Sequence, residues 1–290
     1  MINLPQWVEA EQEPGRQSFR QAVHLVLRAI AQSEALAPAM IMKGGILLAV
    51  RYRSTRFTRD IDFSTSQRYQ QQAIQPLLAA IEEALAPVSA DNEYGLALQL
   101  QSHQIKPPNR PDVSFPTLQL RIAYADRQNS AAMRRLINKG APTLVHVDYS
   151  FNEWVTDIEE HQVDGGALRM YAFHDLLAEK LRSVLQQPVR NRERYQDIYD
   201  LKLLLNTAES ITSADRAAVL EKLFQASQGR LDMPDRRALR DPRIVLLSQR
   251  QYGSALPQMV ADSLPPFDVA YGVVQEFYES LPWDAANPRP

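Results

Sequence analysis

Three runs of alternating apolar residues in the middle of the chain constrain its fold more than any other feature. Leu96, Leu98 and Leu100 form the first; Leu118, Leu120, Ile122 and Tyr124 the second; Val145, Val147 and Tyr149, within TLVHVDYSF, the third. A period of two marks strands with one face against a core, so the chain must build a sheet here. KPPNRPDVSFP, between the first two runs, reads as a proline-rich loop. Two shorter extended pieces precede them: AMIM (39–42), a buried strand, and Asp60 to Phe63, where Ile61 and Phe63 share one face and both aspartates the other. Helical spacing flanks these pieces. Phe19, Val23, Val26, Leu27 and Ile30 predict an amphipathic helix over 18–33, GGILLAVRY a turn feeding a short helix, and Ile74, Leu77, Leu78, Ile81 and Leu85 another helix stopped by Pro87.

Beyond a hairpin expected around Asp164-Gly165-Gly166 the pattern becomes helical, over 174–187, 193–206 and 213–227, with less regular segments to Leu281. The expected class is α/β (α+β): a mixed sheet with flanking helices over 1–155, then a mainly helical domain over 156–290. The closing WDAANPRP is expected to fray.

A length of 290 residues suits one large or two modest domains, and 45% hydrophobic with 23% charged residues is ordinary for a soluble protein. No apolar run approaches the roughly 18 residues a membrane helix needs. The start, MINLPQWVEAEQEPGR, has neither the basic nor the apolar region of a signal peptide. The absence of cysteine excludes disulfides, thiolate zinc sites and a cysteine nucleophile, and agrees with a cytoplasmic location. A net charge of −2 argues against bulk polyanion binding. Arginine nevertheless dominates the basic residues and clusters, as Lys43, Arg51, Arg53, Arg56 and Arg59, and as Lys180, Arg182, Arg190, Arg192 and Arg194. Its planar fork suits phosphate oxygens.

The first cluster lies inside MIMKGGILLAVRYRSTRFTRDIDFS (40–64). Aspartates at i and i+2 of a strand lie roughly 6–7 Å apart on one face, where they repel unless a cation joins them. A hard divalent ion such as Mg²⁺ (or Mn²⁺) accepts few carboxylates and completes its shell with water and phosphate oxygens. A Gly-Gly turn opening a helix lets backbone N–H groups approach an anion. Glycine turn, apolar helix and Asp60-Ile61-Asp62 together describe a site for a metal and a nucleoside triphosphate.

Lys43-Gly44-Gly45 followed by Asp60-Ile61-Asp62 resembles the signature of polymerase-β-like nucleotidyltransferases. With RFTR between them it looks more narrowly like the AbiEii/AbiGii toxin family. A later block, Glu179-Lys180-Leu181-Arg182 with Asp197-Ile198-Tyr199-Asp200-Leu201, resembles the same family, apart from Gln196 where a basic residue is usual. The resemblance spans roughly 20–205. It implies a nucleotidyltransferase-like fold and a toxin with a co-encoded antitoxin. It further implies Asp60, Asp62 and Asp148 as metal ligands, and Lys43, Gly44, Gly45, Arg56, Arg59, Lys180 and Arg182 as contacts of the triphosphate. Asp197 or Asp200 would orient Lys180 or the acceptor. RNA acceptors, tRNA 3′ ends foremost, belong to what it implies, as do abortive infection and, in related members, transfer to a protein.

Plainer readings stand beside these. Lys180 with Asp197 or Asp200 would be a surface ion pair, Asp148 an outward strand charge, and Arg134-Arg135 a solvated face. His24, His146 and His174 lack helical i, i+4 partners and are not expected to bind metal. A haloacid-dehalogenase phosphatase also uses Asp-x-Asp, but after a buried apolar run, and RSTRFTR precedes Asp60 instead. A glycosyltransferase would lack the glycine turn and the later block. An inactive binding module of the same fold is the remaining alternative, and the intact carboxylates argue against it.

Overall fold

The computed structural model describes residues 2–108 and 113–286, so 109–112 of the proline-rich loop and the last four residues lie outside the described residues. The chain forms two compact units, Met1–Arg51 with Thr58–Met170, and Tyr52–Phe57 with Tyr171–Pro290.

The first unit is built from α1 (Leu4–Glu9), α2 (Pro14–Gln32), β1 (Ile41–Lys43), α3 (Gly44–Tyr52), β2 (Asp60–Ser64), α4 (Ile74–Ala90), β3 (Leu96–Lys106), β4 (Thr117–Asp126), α5 (Ser130–Ile137), β5 (Leu144–Ser150), β6 (Ile158–Val163) and β7 (Gly166–Tyr171). Its strands make one mixed sheet of order β3-β4-β5-β2-β1-β7-β6. β2 runs parallel to β5 and β1 parallel to β7; β1–β2, β3–β4 and β4–β5 are antiparallel. The alternation decides which side is buried. Ile61, Phe63, Leu118, Leu120, Ile122, Val145, Val147 and Tyr149 are all buried. Val26 and Ile30 of α2 and Ile81 and Leu85 of α4 meet Leu120, Ile122 and Val147 on that side. The opposite side carries polar side chains such as Gln119 and Asp148, together with a small buried cluster of Ala97, Ala123, Ala125, Leu136 and Ala141.

Three expectations change. The α2 helix starts at Pro14 because Glu13 caps it, accepting from the backbone N–H of Gly15 and Arg16. The α4 helix passes Pro87 and ends at Ala90. Pro87 falls in the last turn, where the extra residues bury Val88 and let the Ser89 hydroxyl accept from the Leu98 N–H at 2.9 Å. The sheet does not end near residue 155. Asp164 and Gly165 (φ +46° and +82°) make the tight β6–β7 turn, and β7 then joins the sheet through β1.

The second unit comprises α6 (Phe173–Leu185), α7 (Gln187–Arg190), α8 (Tyr195–Thr207), α9 (Ser213–Ser227), α10 (Pro242–Gln249), α11 (Phe267–Glu279) and α12 (Trp283–Ala286). Leu176, Leu177, Leu181, Val184, Val219, Leu220 and Leu223 are buried in its core. Residues 52–57 belong here because Arg56 forms a β-bridge with Val260 and the Phe57 N–H donates to the Met259 carbonyl at 2.6 Å. The expected fraying does not reach Trp283. Its indole N–H donates to the Tyr278 carbonyl at 2.8 Å and its ring packs on Tyr278 and Phe224.

Candidate active site

Lys43 ends β1 and Gly44 opens α3, at φ +72°, a conformation L side chains rarely adopt. A Cβ on Gly44 would lie 2.1 Å from Oδ2 of Asp62. Glycine is therefore needed twice, for the turn and for the carboxylate pressed against it. The register explains that contact, since Lys43 pairs with Asp62 across β1–β2.

The same register lays out the polar side of the sheet. Asp62 pairs with Asp148, Asp148 with Gln119 and Gln119 with Gln104, in one row across β2, β5, β4 and β3. Asp60, His146, Arg121 and Ser102 form the next row. Paired residues share a face, so Asp60, Asp62 and Asp148 lie on one side of the sheet, as expected from sequence. Asp60 is exposed, while Asp62 and Asp148 are half-buried. Burial pushes the Asp148 carboxyl up; a hydrogen bond from Gln119 Nε2 at 2.8 Å works against that rise, and the charge of Asp60 adds to it.

Oxygen-only donors on one face suit a hard cation such as Mg²⁺. Among the described residues, no group of three or more carboxylates or histidines is drawn together closely enough to hold a metal. Lys43 is buried, with Nζ 3.8 Å from Oε1 of Glu153. Arg59 is exposed. His24 is buried between Tyr94 and Asp164, and His174 pairs with Asp215 at 2.9 Å.

The second motif builds a different constellation. Lys180, on α6, places Nζ 2.9 Å from Asp197 Oδ1 and 2.7 Å from Asp200 Oδ2, both on α8. Arg56 grips Asp200 with two parallel bonds, Nε to Oδ1 at 2.9 Å and Nη2 to Oδ2 at 2.8 Å. Lys180 is 5% exposed and Asp200 fully buried. This is a buried network, not the surface ion pair of the plainer reading. Burial works against the Lys180 charge, but Asp197 and Asp200 outweigh it and raise its pKa. Burial likewise opposes ionisation of Asp200, yet Arg56 and Lys180 hold its carboxyl below the usual carboxylate range. Asp197 keeps one oxygen, Oδ2, without a hydrogen bond, with Arg194 3.9 Å away. Arg182 is buried and donates to Gln186 Oε1 at 2.7 Å.

Residues 25–273 match the family model described as nucleotidyl transferase AbiEii toxin, type IV TA system. The chain belongs to the AbiEii nucleotidyltransferase toxin family. This AbiEii match runs past residue 205, where the motifs visible in sequence stop, and so takes in α9 and α10. Among solved structures, JHP933 from Helicobacter pylori aligns with a TM-score of 0.51 and 15% identity, over 96% of this chain and 97% of that one. A second H. pylori structure, described as a candidate nucleotidyltransferase, aligns with a TM-score of 0.51 and 15% identity, over 93% and 96%. At that identity the likeness speaks for the fold. No curated protein matches the chain.

Three residues near the carboxylates escaped sequence reasoning: Gln119, Gln104 and Glu153. The alternation in LQLRI shows that Gln119 leaves the core, but only the strand register reveals which carboxylate it meets.

Proposed function

We propose that this AbiEii-family protein transfers a nucleotide from a nucleoside triphosphate to an RNA acceptor, with a tRNA 3′ end favoured, and releases pyrophosphate. One observation carries the reading. The glycine turn that opens α3 is packed directly against Asp62, with Asp60 and Asp148 at registered positions on the same sheet face. An anion-receiving turn and a set of carboxylates serve one chemistry when the substrate brings both phosphate and metal.

In this reading the acceptor hydroxyl attacks the α-phosphate in line. Asp60, Asp62 and Asp148 would hold Mg²⁺ or Mn²⁺, which when bound lowers the acceptor's pKa and offsets charge on the attacking and leaving oxygens. The N–H groups at the start of α3, backed by the helix dipole, receive phosphate oxygens at Gly44 and Gly45. Lys43 and Arg59 add positive charge. Lys180, Arg56 and Arg182 act differently. All three are buried and bonded within the second unit, Lys180 to Asp197 and Asp200, Arg56 to Asp200 and Arg182 to Gln186, so Asp197 and Asp200 orient Lys180 there and none of the three cations meets solvent phosphate.

Growth arrest relieved by a co-encoded antitoxin follows from such an activity, and the cytoplasm is where its substrates are found. No helix among the described residues is long and apolar enough to cross a membrane. The test is to incubate the protein with each α-labelled triphosphate, Mg²⁺, total RNA and cell protein, then separate the pools. Label at RNA 3′ ends is expected. Label on protein alone would transfer the assignment to protein modification. Neither label nor nucleotide binding would leave an inactive binding module.

A further inference from the structure

Asp148 is the one proposed ligand on a strand that does not carry the Asp-x-Asp motif, and its carboxylate has a built partner. Gln119 Nε2 donates to Asp148 Oδ1 at 2.8 Å, and Gln104 Nε2 donates to Gln119 Oε1 at 2.8 Å. The three side chains occupy consecutive strands of one register row, from the exposed sheet edge at Gln104 to the half-buried carboxylate.

The chemistry of this row is specific. A glutamine amide donates at one end and accepts at the other, and the two ends have nearly the same shape. Turned around, Gln119 would aim its oxygen at a carboxylate. By filling Oε1, Gln104 fixes the orientation in which the NH₂ end faces Asp148. The donor is also neutral. A lysine or arginine at that position would pair with Asp148 and neutralise the charge a cation needs, whereas an amide secures one oxygen and leaves the charge in place. Arg121, two positions along the same strand, pairs in register with His146 and not with Asp148.

We propose that Gln119 is a positioning residue for Asp148, oriented in turn by Gln104, so that Asp148 commits Oδ1 to the amide and presents Oδ2 to a divalent cation. The inference rests on the assignment of Asp148 to the metal in the proposed function. It adds a supporting relay that the motifs do not contain. Outer partners that orient metal-binding side chains typically change affinity by about 10–100-fold when removed.

The test measures Mn²⁺ binding to the full chain by electron paramagnetic resonance, without nucleotide, for wild type, Gln119→Met, Gln104→Met and Asp148→Asn. Methionine keeps the length of glutamine and removes the amide. Gln119→Met should bind Mn²⁺ about 10–100-fold more weakly, with an unchanged metal-free melting temperature. In turnover, kcat should fall while KM for the triphosphate stays constant. Gln104→Met should shift binding in the same direction by less. Wild-type Mn²⁺ affinity in Gln119→Met would overturn the relay. Should that variant fail to fold, Gln104→Met decides: weaker binding supports the relay and unchanged binding overturns it. Equal Mn²⁺ binding by wild type and Asp148→Asn is a separate result, which removes the metal assignment of Asp148 and the relay with it.

Discussion

The protein holds two sets of aspartates in opposite ways. Asp197 and Asp200 are buried, and two cations, Lys180 and Arg56, are folded in with them. Asp60 and Asp148 share a sheet face in neighbouring rows, and neither has a cation within ion-pair distance among the described residues; Asp148 instead takes a neutral amide. Isolated buried charge is expensive, so it survives only when compensated within the fold. Charge left uncompensated at a surface makes sense when something arriving from outside completes it. One set therefore belongs to the architecture of the second unit, and the other fits the chemistry proposed for the first.

Breaking the compensated set should have the largest effect. Lys180→Ala strands two buried carboxylates and should cost roughly 3–5 kcal/mol, read by urea unfolding. A loss below about 1 kcal/mol would mean the network behaves as an exposed pair and would erase the contrast. The aspartates of the sheet face should answer in activity instead. Asp60→Asn should cut nucleotidyl transfer by roughly 10²–10³-fold or more, with thermal stability retained. Destabilisation without loss of turnover would reverse their roles.

Gly44→Ala should fall between the two regimes. The left-handed backbone costs about 1–2 kcal/mol for an L side chain, and the added methyl displaces the Asp62 carboxylate, so stability and triphosphate binding should both drop. The smallest effect is in pH. Asp200, held below the usual range, contributes stability that is present above its unfolded value near about pH 3.9 and is lost as pH falls through its folded value. Asp148, pushed up by burial, does the reverse: its penalty is full at neutral pH and is relieved as pH falls through its raised value. Asp148→Asn should therefore raise the melting temperature slightly at pH 7 and gain nothing in acid. A fall at pH 7 would place Asp148 with the structural set.

Much of this was legible in the residues because the signals are local. Two-residue alternation revealed the strands, and i, i+2 spacing showed that Asp60 and Asp62 share a face. What stayed hidden depends on pairing between distant segments. The spacing of Lys180, Asp197 and Asp200 suggests helices in contact, but nothing in it shows that Arg56, 144 residues before Asp200, completes the network. Gln119 reads as one more outward polar residue until β4 is set beside β5. Trp283 reads as part of a tail because WDAANPRP carries no apolar periodicity, and only its bond to Tyr278 shows it docked. Pro87 was overvalued as a stop, since a final turn has little helix left to break.

The spacer between the glycine turn and the aspartate pair is more than a tether. Six of its residues, 52–57, leave the first unit and are moored in the second by Arg56 and Phe57 before the chain returns at Thr58. The halves of the nucleotidyltransferase signature are thus consecutive in sequence but linked by an excursion. No single cut can separate the units: a fragment ending at residue 170 would keep 52–57 without Asp200, Met259 and Val260, and a fragment beginning at 171 would lack Arg56. Dissection of this toxin into independently expressed parts has to follow the excursion, for instance by bridging Arg51 to Thr58 with a short linker and supplying 52–57 to the helical part.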